Sequence, residues 1–171
     1  GWLREGRKSS LSQEAGWAGV MSLPVIVTPL PEGRLSLEPA PELTALREQH
    51  WHDDGLALDE ASSFLPADCQ GDCLEILAEC VPGQNSEFGF RLRFSPDGQE
   101  QTRIVYQSAL QSLSIEREQS SLNPDVDHGN STVLIEADPG EVLKIHLFLD
   151  HSVLEVFVNN RCYLALSLIH I

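Results

Sequence analysis

Between Lys144 and Asn160 apolar residues recur at every second position. Ile145, Leu147 and Leu149 alternate with Lys144, His146 and Phe148, and the alternation resumes at Leu154, Val156 and Val158 after the polar triplet Asp150-His151-Ser152. A period of two places successive side chains on opposite faces of an extended strand, so this stretch predicts a β-hairpin with one apolar face. Asn159-Asn160 then offers a turn, because Asn tolerates positive φ, and Cys162 to Leu168 returns as a further strand.

The pattern is β from about residue 56 onward. Phe88, Phe90, Leu92 and Phe94 alternate with Glu87, Gly89, Arg91 and Arg93, a half-buried strand by period. Ser95-Pro96-Asp97-Gly98 is a turn, since Pro presets φ and Gly accepts the left-handed position. Further strands are expected at Leu74–Cys80, Thr102–Gln107, Leu113–Arg117, Thr132–Glu136 and Val142–Leu149. About eight short strands with turn signals roughly every 8–12 residues read as a sandwich or a barrel. Residues 1–45 differ: Pro24, Pro29, Pro31, Pro39 and Pro41 exclude a long helix, and Val25-Ile26-Val27 and Arg34–Pro41 read as extended chain. Glu42–Trp51 suits one or two helical turns with Leu43 and Leu46 on one face.

Charge narrows the partners. Eleven Lys and Arg against 26 Asp and Glu leave a net charge of −15, which repels phosphate backbones and anionic lipid, so neither nucleic acid nor a membrane is an expected partner. Apolar runs have strand length and fall short of the roughly 20 residues of a spanning helix. The four cysteines, Cys69, Cys73, Cys80 and Cys162, lack the paired spacing of a zinc finger. Cys80 and Cys162 fall on inward faces as small hydrophobes; Cys69 and Cys73 stand close enough for a disulfide if the loop between them bends back. Gly1-Trp2 without Met and the apolar Ser167–Ile171 read as cuts, so a missing leader does not argue against secretion.

Six positions of the hairpin, Asp150, Ser152, Glu155, Val156, Phe157 and Asn159, match the pattern Phe-x-Asp-Arg-Ser-x-x-Glu-Val-Phe-x-Asn. That pattern resembles the signature near the end of the C-terminal β-sandwich of glycoside hydrolase family 32, the invertases and fructan hydrolases. His151 departs from it, standing where the family usually has Arg. The resemblance runs on through Trp2–Glu5 and Gly16–Pro24, similar to the family's last propeller strands, and Pro39–Leu43 with Leu46-Arg47, similar to its linker. Ser86–Arg93, Thr102–Tyr106 and Leu113–Ser121 are similar to successive sandwich strands. Val25, in place of an Arg after Leu-Pro, and the ending Ser167–Ile171 depart from it.

The resemblance implies an all-β antiparallel β-sandwich of two sheets, jelly-roll or lectin-like, over 46–171, with the tail of a β-propeller catalytic domain and its linker over 1–45. It implies β-fructofuranosidase activity on sucrose or fructans in a parent enzyme. The acids for this lie on a five-bladed propeller, in Asn-Asp-Pro-Asn-Gly, Arg-Asp-Pro and Glu-Cys-Pro contexts. Retaining hydrolysis needs two carboxyl groups about 5 Å apart. The first two motifs are absent here, so the fragment alone is expected to be inactive, without catalytic residues, cofactor or metal. Its expected partner is the propeller of the same protein; a fructoside or other carbohydrate and a second copy of the chain are the remaining expectations. An extracellular or secretory parent is expected. A stand-alone lectin-like binding module and a truncated fragment without function stay open as alternatives.

Individual residues carry the following readings. Asp150, Ser152, Glu155, Phe157 and Asn159 are structural signature positions, with Asp150 and Ser152 expected to bond backbone N–H groups of their own turn. Three adjacent residues cannot align as a catalytic triad. Ala78-Glu79-Cys80-Val81-Pro82 imitates the acid/base motif, but Glu79 is expected on the solvated face of a strand beside Glu75. His50-Trp51-His52-Asp53-Asp54 has donors for adventitious metal binding with nothing to complete the set. Trp2, Trp17, Val20, Leu23 and Arg47 are placed at the interdomain seam, so the isolated chain should expose an apolar patch there. Asn130-Ser131-Thr132 is an N-glycosylation sequon in a predicted loop.

Overall fold

Each of the eight strands expected from the two-residue period forms. The computed structural model describes residues 1–3, 6–59, 63, 70–138 and 140–167. Its N-terminal part contains β1 (Trp2–Leu3), α1 (Ser9–Ala15), β2 (Val20–Met21), β3 (Val25–Pro29) and β4 (Leu35–Pro39). β1 pairs with β2 and β3 with β4, as two small antiparallel ribbons. Then follow β5 (Cys73–Cys80), β6 (Glu87–Leu92), β7 (Thr102–Gln107), β8 (Ser112–Glu116), β9 (Ser131–Leu134), β10 (Leu143–Asp150), β11 (Val153–Val158) and β12 (Cys162–Ser167).

These eight strands build two four-stranded antiparallel sheets, ordered β12-β11-β10-β5 and β6-β7-β8-β9. The core lies between them, as a sandwich requires. Leu143, Ile145, Leu147 and Leu149 of β10, with Leu154, Val156 and Val158 of β11, meet Ile104, Tyr106, Leu113 and Ile115 from the other sheet and Ile135 just past the end of β9. β10 is the central plank, paired along its whole length with β5 on one side and from Ile145 to Asp150 with β11 on the other. A slip of one residue in either pairing would turn its four apolar side chains out of the core, so burial itself sets the register. Cys80 and Cys162 pack against this core, and burial pushes both thiols up from their ordinary range.

The turns follow the expected chemistry. Gly98 adopts φ +72° and its N–H bonds Ser95 O at 2.9 Å. Asn159 and Asn160 sit at φ +48° and +54°, with Arg161 N donating to Val158 O at 2.9 Å. Because Val158 pairs with Cys162, Arg161 is a third loop residue in what the sequence presents as a two-residue turn.

Other expectations are corrected. The seven-residue α1 was not expected; it buries no side chain, so it shows no apolar stripe, and only Gly16 at its end (φ +76°, N–H to Gln13 O) marks it. The expected turns after Glu42 tighten into a 3-10 helix over Pro41–Leu46 that leaves Leu46 three-quarters exposed. Phe94 lies beyond the end of β6, where Arg93 takes φ +52°, and meets the Arg91 guanidinium instead of the core. After β4, regular β structure resumes at Cys73, not near residue 56, within the described residues. Cys69, and with it the disulfide question, lies outside them. Among the described residues, no helix is long and apolar enough to cross a membrane.

Candidate functional site

A sheet with one face on the core ordinarily turns polar residues outward. The outward face of β12-β11-β10-β5 does not. One cross-strand row reads Tyr163, Phe157, His146 and the next Ala165, Glu155, Phe148, Glu75. His146 and Phe148 rings lie 4.5 Å apart, Phe157 and Tyr163 4.8 Å, and Phe148 meets Phe157 edge-on at 6.2 Å. Every residue of β11 is buried, on both faces. What covers the outer face is the N-terminal segment.

Two carboxylates tie the segment down. Glu155, only 2% exposed, accepts the Leu23 N–H at 2.7 Å on Oε1 and the Tyr163 hydroxyl on Oε2. Burial and this bond to a carboxylate drive the Tyr163 phenol far above its usual range. Glu75 takes a two-pronged bond from Arg47, Nε and Nη2 each at 2.5 Å, and its Oε1 lies 2.7 Å from His146 Nε2. The Arg47 fork, aided by His146, holds the Glu75 carboxyl below the ordinary range. Such bidentate geometry fixes orientation as well as charge. Further along, Leu37 N donates to Asn160 O at 2.8 Å, Lys8 N to Asp125 O at 3.1 Å and Asp127 N to Gly6 O at 2.9 Å. Arg7, buried, stacks 4.0 Å over the Trp17 ring and donates to Trp17 O.

The segment's other side is open. Trp2 and Met21, cross-strand partners, are 64% and 68% exposed, and Ile26, Val27, Leu30 and Leu35 of the β3–β4 hairpin are exposed too. Trp17 is exposed at 41%, while Val20 and Leu23 are half-buried. Of the seam residues read from sequence, Leu23 and Arg47 therefore bind inward to the sandwich, and Trp2 and Trp17 present rings outward.

The remaining singled-out residues lie apart from this face. Asn159 Oδ1 accepts Lys144 N–H at 2.7 Å while its Nδ2 donates to Glu141, which also pairs with Arg161 at 3.0 Å. Among the described residues, neither Asp150 nor Ser152 makes the expected side-chain bond to its own turn, and the turn is tied across the sheet instead. The turn is His151-Ser152, His151 N donates to Asp72 O at 2.7 Å, and Asp150 Oδ1 lies 3.8 Å from Cys73 Sγ. Glu79 is solvated and pairs with Lys144 at 3.0 Å. His50 and His52 stack, with His52 against Asp54 at 3.1 Å. Asn130 is exposed just before β9; its Oδ1 accepts Arg117 N–H and its Nδ2 donates to Glu118.

Chemically, this face holds and docks. Glu155 and Glu75 are each occupied by fixed donors, leaving neither free to protonate a leaving group or attack a sugar carbon. A concavity of about 300 Å³ elsewhere is lined by Glu141, Val142, Lys144, Asn159 and Asn160, with no aromatic ring for a sugar to stack on. Sequence reasoning missed how Glu155 and Glu75 bind the segment. The available signal was a single Glu within an otherwise apolar strand, Val153–Val158, which marks a strand covered on both faces.

Residues 42–165 match the family model described as glycosyl hydrolases family 32 C terminal. Sucrose-6-phosphate hydrolase from Zymomonas mobilis is 25% identical over 159 residues, 93% of this chain and 30% of that protein. The chain thus spans under a third of the length of the curated relatives it matches. Fructan 1-exohydrolase IIa from Cichorium intybus superimposes with a TM-score of 0.85 at 17% identity, over 98% of this chain and 38% of the other. Sucrose-6-phosphate hydrolase from Lactobacillus gasseri does so at 0.69 and 21% identity, over 94% and 31%.

Proposed function

This chain belongs to the C-terminal domain family of the family 32 glycosyl hydrolases, and from that premise we propose that it is the accessory β-sandwich of a β-fructofuranosidase acting on sucrose or fructans. Its work is to cover one face of the catalytic β-propeller and hold it rigid, while the acids that cleave the substrate reside on the propeller. Residues 1–45 are the last propeller strands and the linker; 46–171 is the accessory domain.

The observation that carries this reading is the two-sided N-terminal segment. It is bonded inward through Glu155 and Glu75 and apolar outward at Trp2, Met21, Ile26, Val27 and Leu35. β1 and β2 contribute two residues each, too little to persist as a sheet without neighbours. An exposed apolar surface of this kind marks an interface. Secretion belongs to the same proposal, supported by the exposed sequon at Asn130.

The coding sequence upstream of Gly1 tests the proposal: an in-frame propeller bearing Asn-Asp-Pro-Asn-Gly, Arg-Asp-Pro and Glu-Cys-Pro is expected, and a start codon with a leader directly before Gly1 would overturn it. In solution the 171-residue chain should release no fructose from sucrose or 1-kestose. It should also self-associate through the apolar patch, with Trp2→Ser/Met21→Ser shifting sedimentation toward monomer while leaving the unfolding midpoint within about 0.5 kcal/mol of the parent's. Fructose release by the chain itself would refute the division of labour.

A further inference from the structure

The β10–β11 turn brings Asp150, a signature position, together with three side chains, Asp72, Cys73 and His151, that neither the family resemblance nor the docking role uses. β10 pairs antiparallel with β5 so that Asp150 stands directly opposite Cys73, and His151 and Asp72 follow as the next residues on each side. The backbone bond from His151 N to Asp72 O, 2.7 Å, locks this end of the pairing. His151 Nδ1 then lies 2.8 Å from Asp72 Oδ2, His151 Nε2 lies 3.7 Å from Cys73 Sγ, and Asp150 Oδ1 lies 3.8 Å from the same sulfur. Asp72, Cys73 and His151 are exposed, and their donor atoms fall within 4.8 Å of one another.

We propose that Asp72, Cys73, Asp150 and His151 form a binding site for one divalent cation of the zinc class. Zinc bonds to Cys sulfur at about 2.3 Å and to His nitrogen or carboxylate oxygen at about 2.0–2.2 Å, so donors around a tetrahedral ion stand about 3.4–3.6 Å apart. The sulfur–nitrogen and sulfur–oxygen separations here, 3.7 and 3.8 Å, match that spacing to a few tenths of an ångström, and rotation of the exposed Cys73 and His151 side chains would aim their lone pairs at a shared ion. Asp72 has a distinct place. The Nδ1–H given to its carboxylate leaves Nε2 with the ring's free lone pair; Cys73 Sγ lies 3.7 Å from Nε2 and 4.0 Å from Nδ1, so thiol and ring turn toward each other when an ion bridges them. Cys73 Sγ and His151 Nε2 are then protein ligands, Asp150, whose Oδ1 approaches the sulfur, turns in as the third, and water takes the fourth position. The thiol and imidazole select zinc over calcium or magnesium, which prefer all-oxygen shells. On binding, the Cys73 S–H bond gives way to a sulfur–zinc bond and the proton leaves to solvent. The bound ion would clamp the β10–β11 turn to the start of β5.

The test titrates the reduced 171-residue chain with zinc by calorimetry and with cobalt(II) by absorption. Expected are one ion per chain, a thiolate-to-cobalt charge-transfer band with the intense visible bands of a four-coordinate site, and a Tm raised by zinc. His151→Arg and Cys73→Ser, on exposed positions, should each weaken binding at least about tenfold with unchanged circular dichroism, as should Asp150→Asn. Asp72→Asn should weaken it without moving the charge-transfer band. His50→Gln/His52→Gln should leave it intact. Absence of one-to-one binding, or affinity that survives His151→Arg, would overturn the assignment. So would binding lost in Cys69→Ser but kept in His151→Arg, which means a cysteine pair holds the metal.

Discussion

Glu155→Ala removes the acceptor that joins the N-terminal segment to the sheet. Two bonds go at once, from Leu23 N–H at 2.7 Å and from the Tyr163 hydroxyl, at a site 2% exposed. A hydrogen bond to a charged group contributes about 1.5–3 kcal/mol, and donors left buried without partners add their desolvation penalty. Relief of the buried carboxylate's own desolvation offsets part of this. The expected loss is about 3–5 kcal/mol, a large share of the 5–15 kcal/mol of a typical domain. Glu155→Gln keeps shape and one acceptor but turns an N–H₂ toward a donor, and should lose about 1.5–3 kcal/mol. The assay is urea unfolding followed by tryptophan fluorescence, since Trp2, Trp17 and Trp51 all precede the sandwich strands, with circular dichroism reporting the sheets. Glu155→Ala should separate the two transitions, the fluorescence change coming first, and speed exchange of the Leu23 amide. In a double-mutant cycle, Glu155→Gln with Tyr163→Phe should couple by more than about 0.5 kcal/mol. An unfolding midpoint within about 0.5 kcal/mol of the parent, or an unaltered Leu23 exchange rate, would refute the claim that Glu155 anchors the segment.

Two further outcomes are expected beside those already tied to the docking face and the cation site. The Glu75 carboxyl is held below its ordinary value, near 4.3, first by the Arg47 fork and then by His146, so the unfolded chain binds more protons in acid. Its stabilising contribution is present above about pH 4.3 and lost as pH falls through the depressed native value. Arg47→Ala should flatten the acid limb of stability against pH, and an unchanged limb would remove Arg47 from that role. Gly19 sits at φ +68°, and a Cβ there would meet Leu3 O and Trp2 Nε1 at 2.7 Å. Gly19→Ala should therefore open the β1–β2 ribbon at a cost above about 1 kcal/mol, seen as a shift in tryptophan emission at low urea; an unshifted spectrum would count against this.

Much of the fold is legible locally. Side-chain alternation has a period of two wherever a strand has one face on a core, so β5 to β12 announce themselves one by one, and Asn159-Asn160 and Pro96-Asp97-Gly98 mark the reversals. Where a local element buries nothing that signal vanishes, which is why α1 went unread although Gly16 ends it. Family membership was legible too, because Glu155, Phe157 and Asn159 stand at fixed spacing within one hairpin.

Function-bearing contacts are of another kind. The Leu23–Glu155 bond spans 132 residues, the Arg47–Glu75 fork 28, and the Asp72–His151 contact 79. Each depends on which strands become neighbours and in what register. The sequence by itself determined strands, turns and family. The pairing of β10 with β5 and the burial of β11 under the N-terminal segment were decided in three dimensions. Hydrophobic burial rewards total apolar area wherever it lies along the chain, and so it assembles neighbours that no local pattern names.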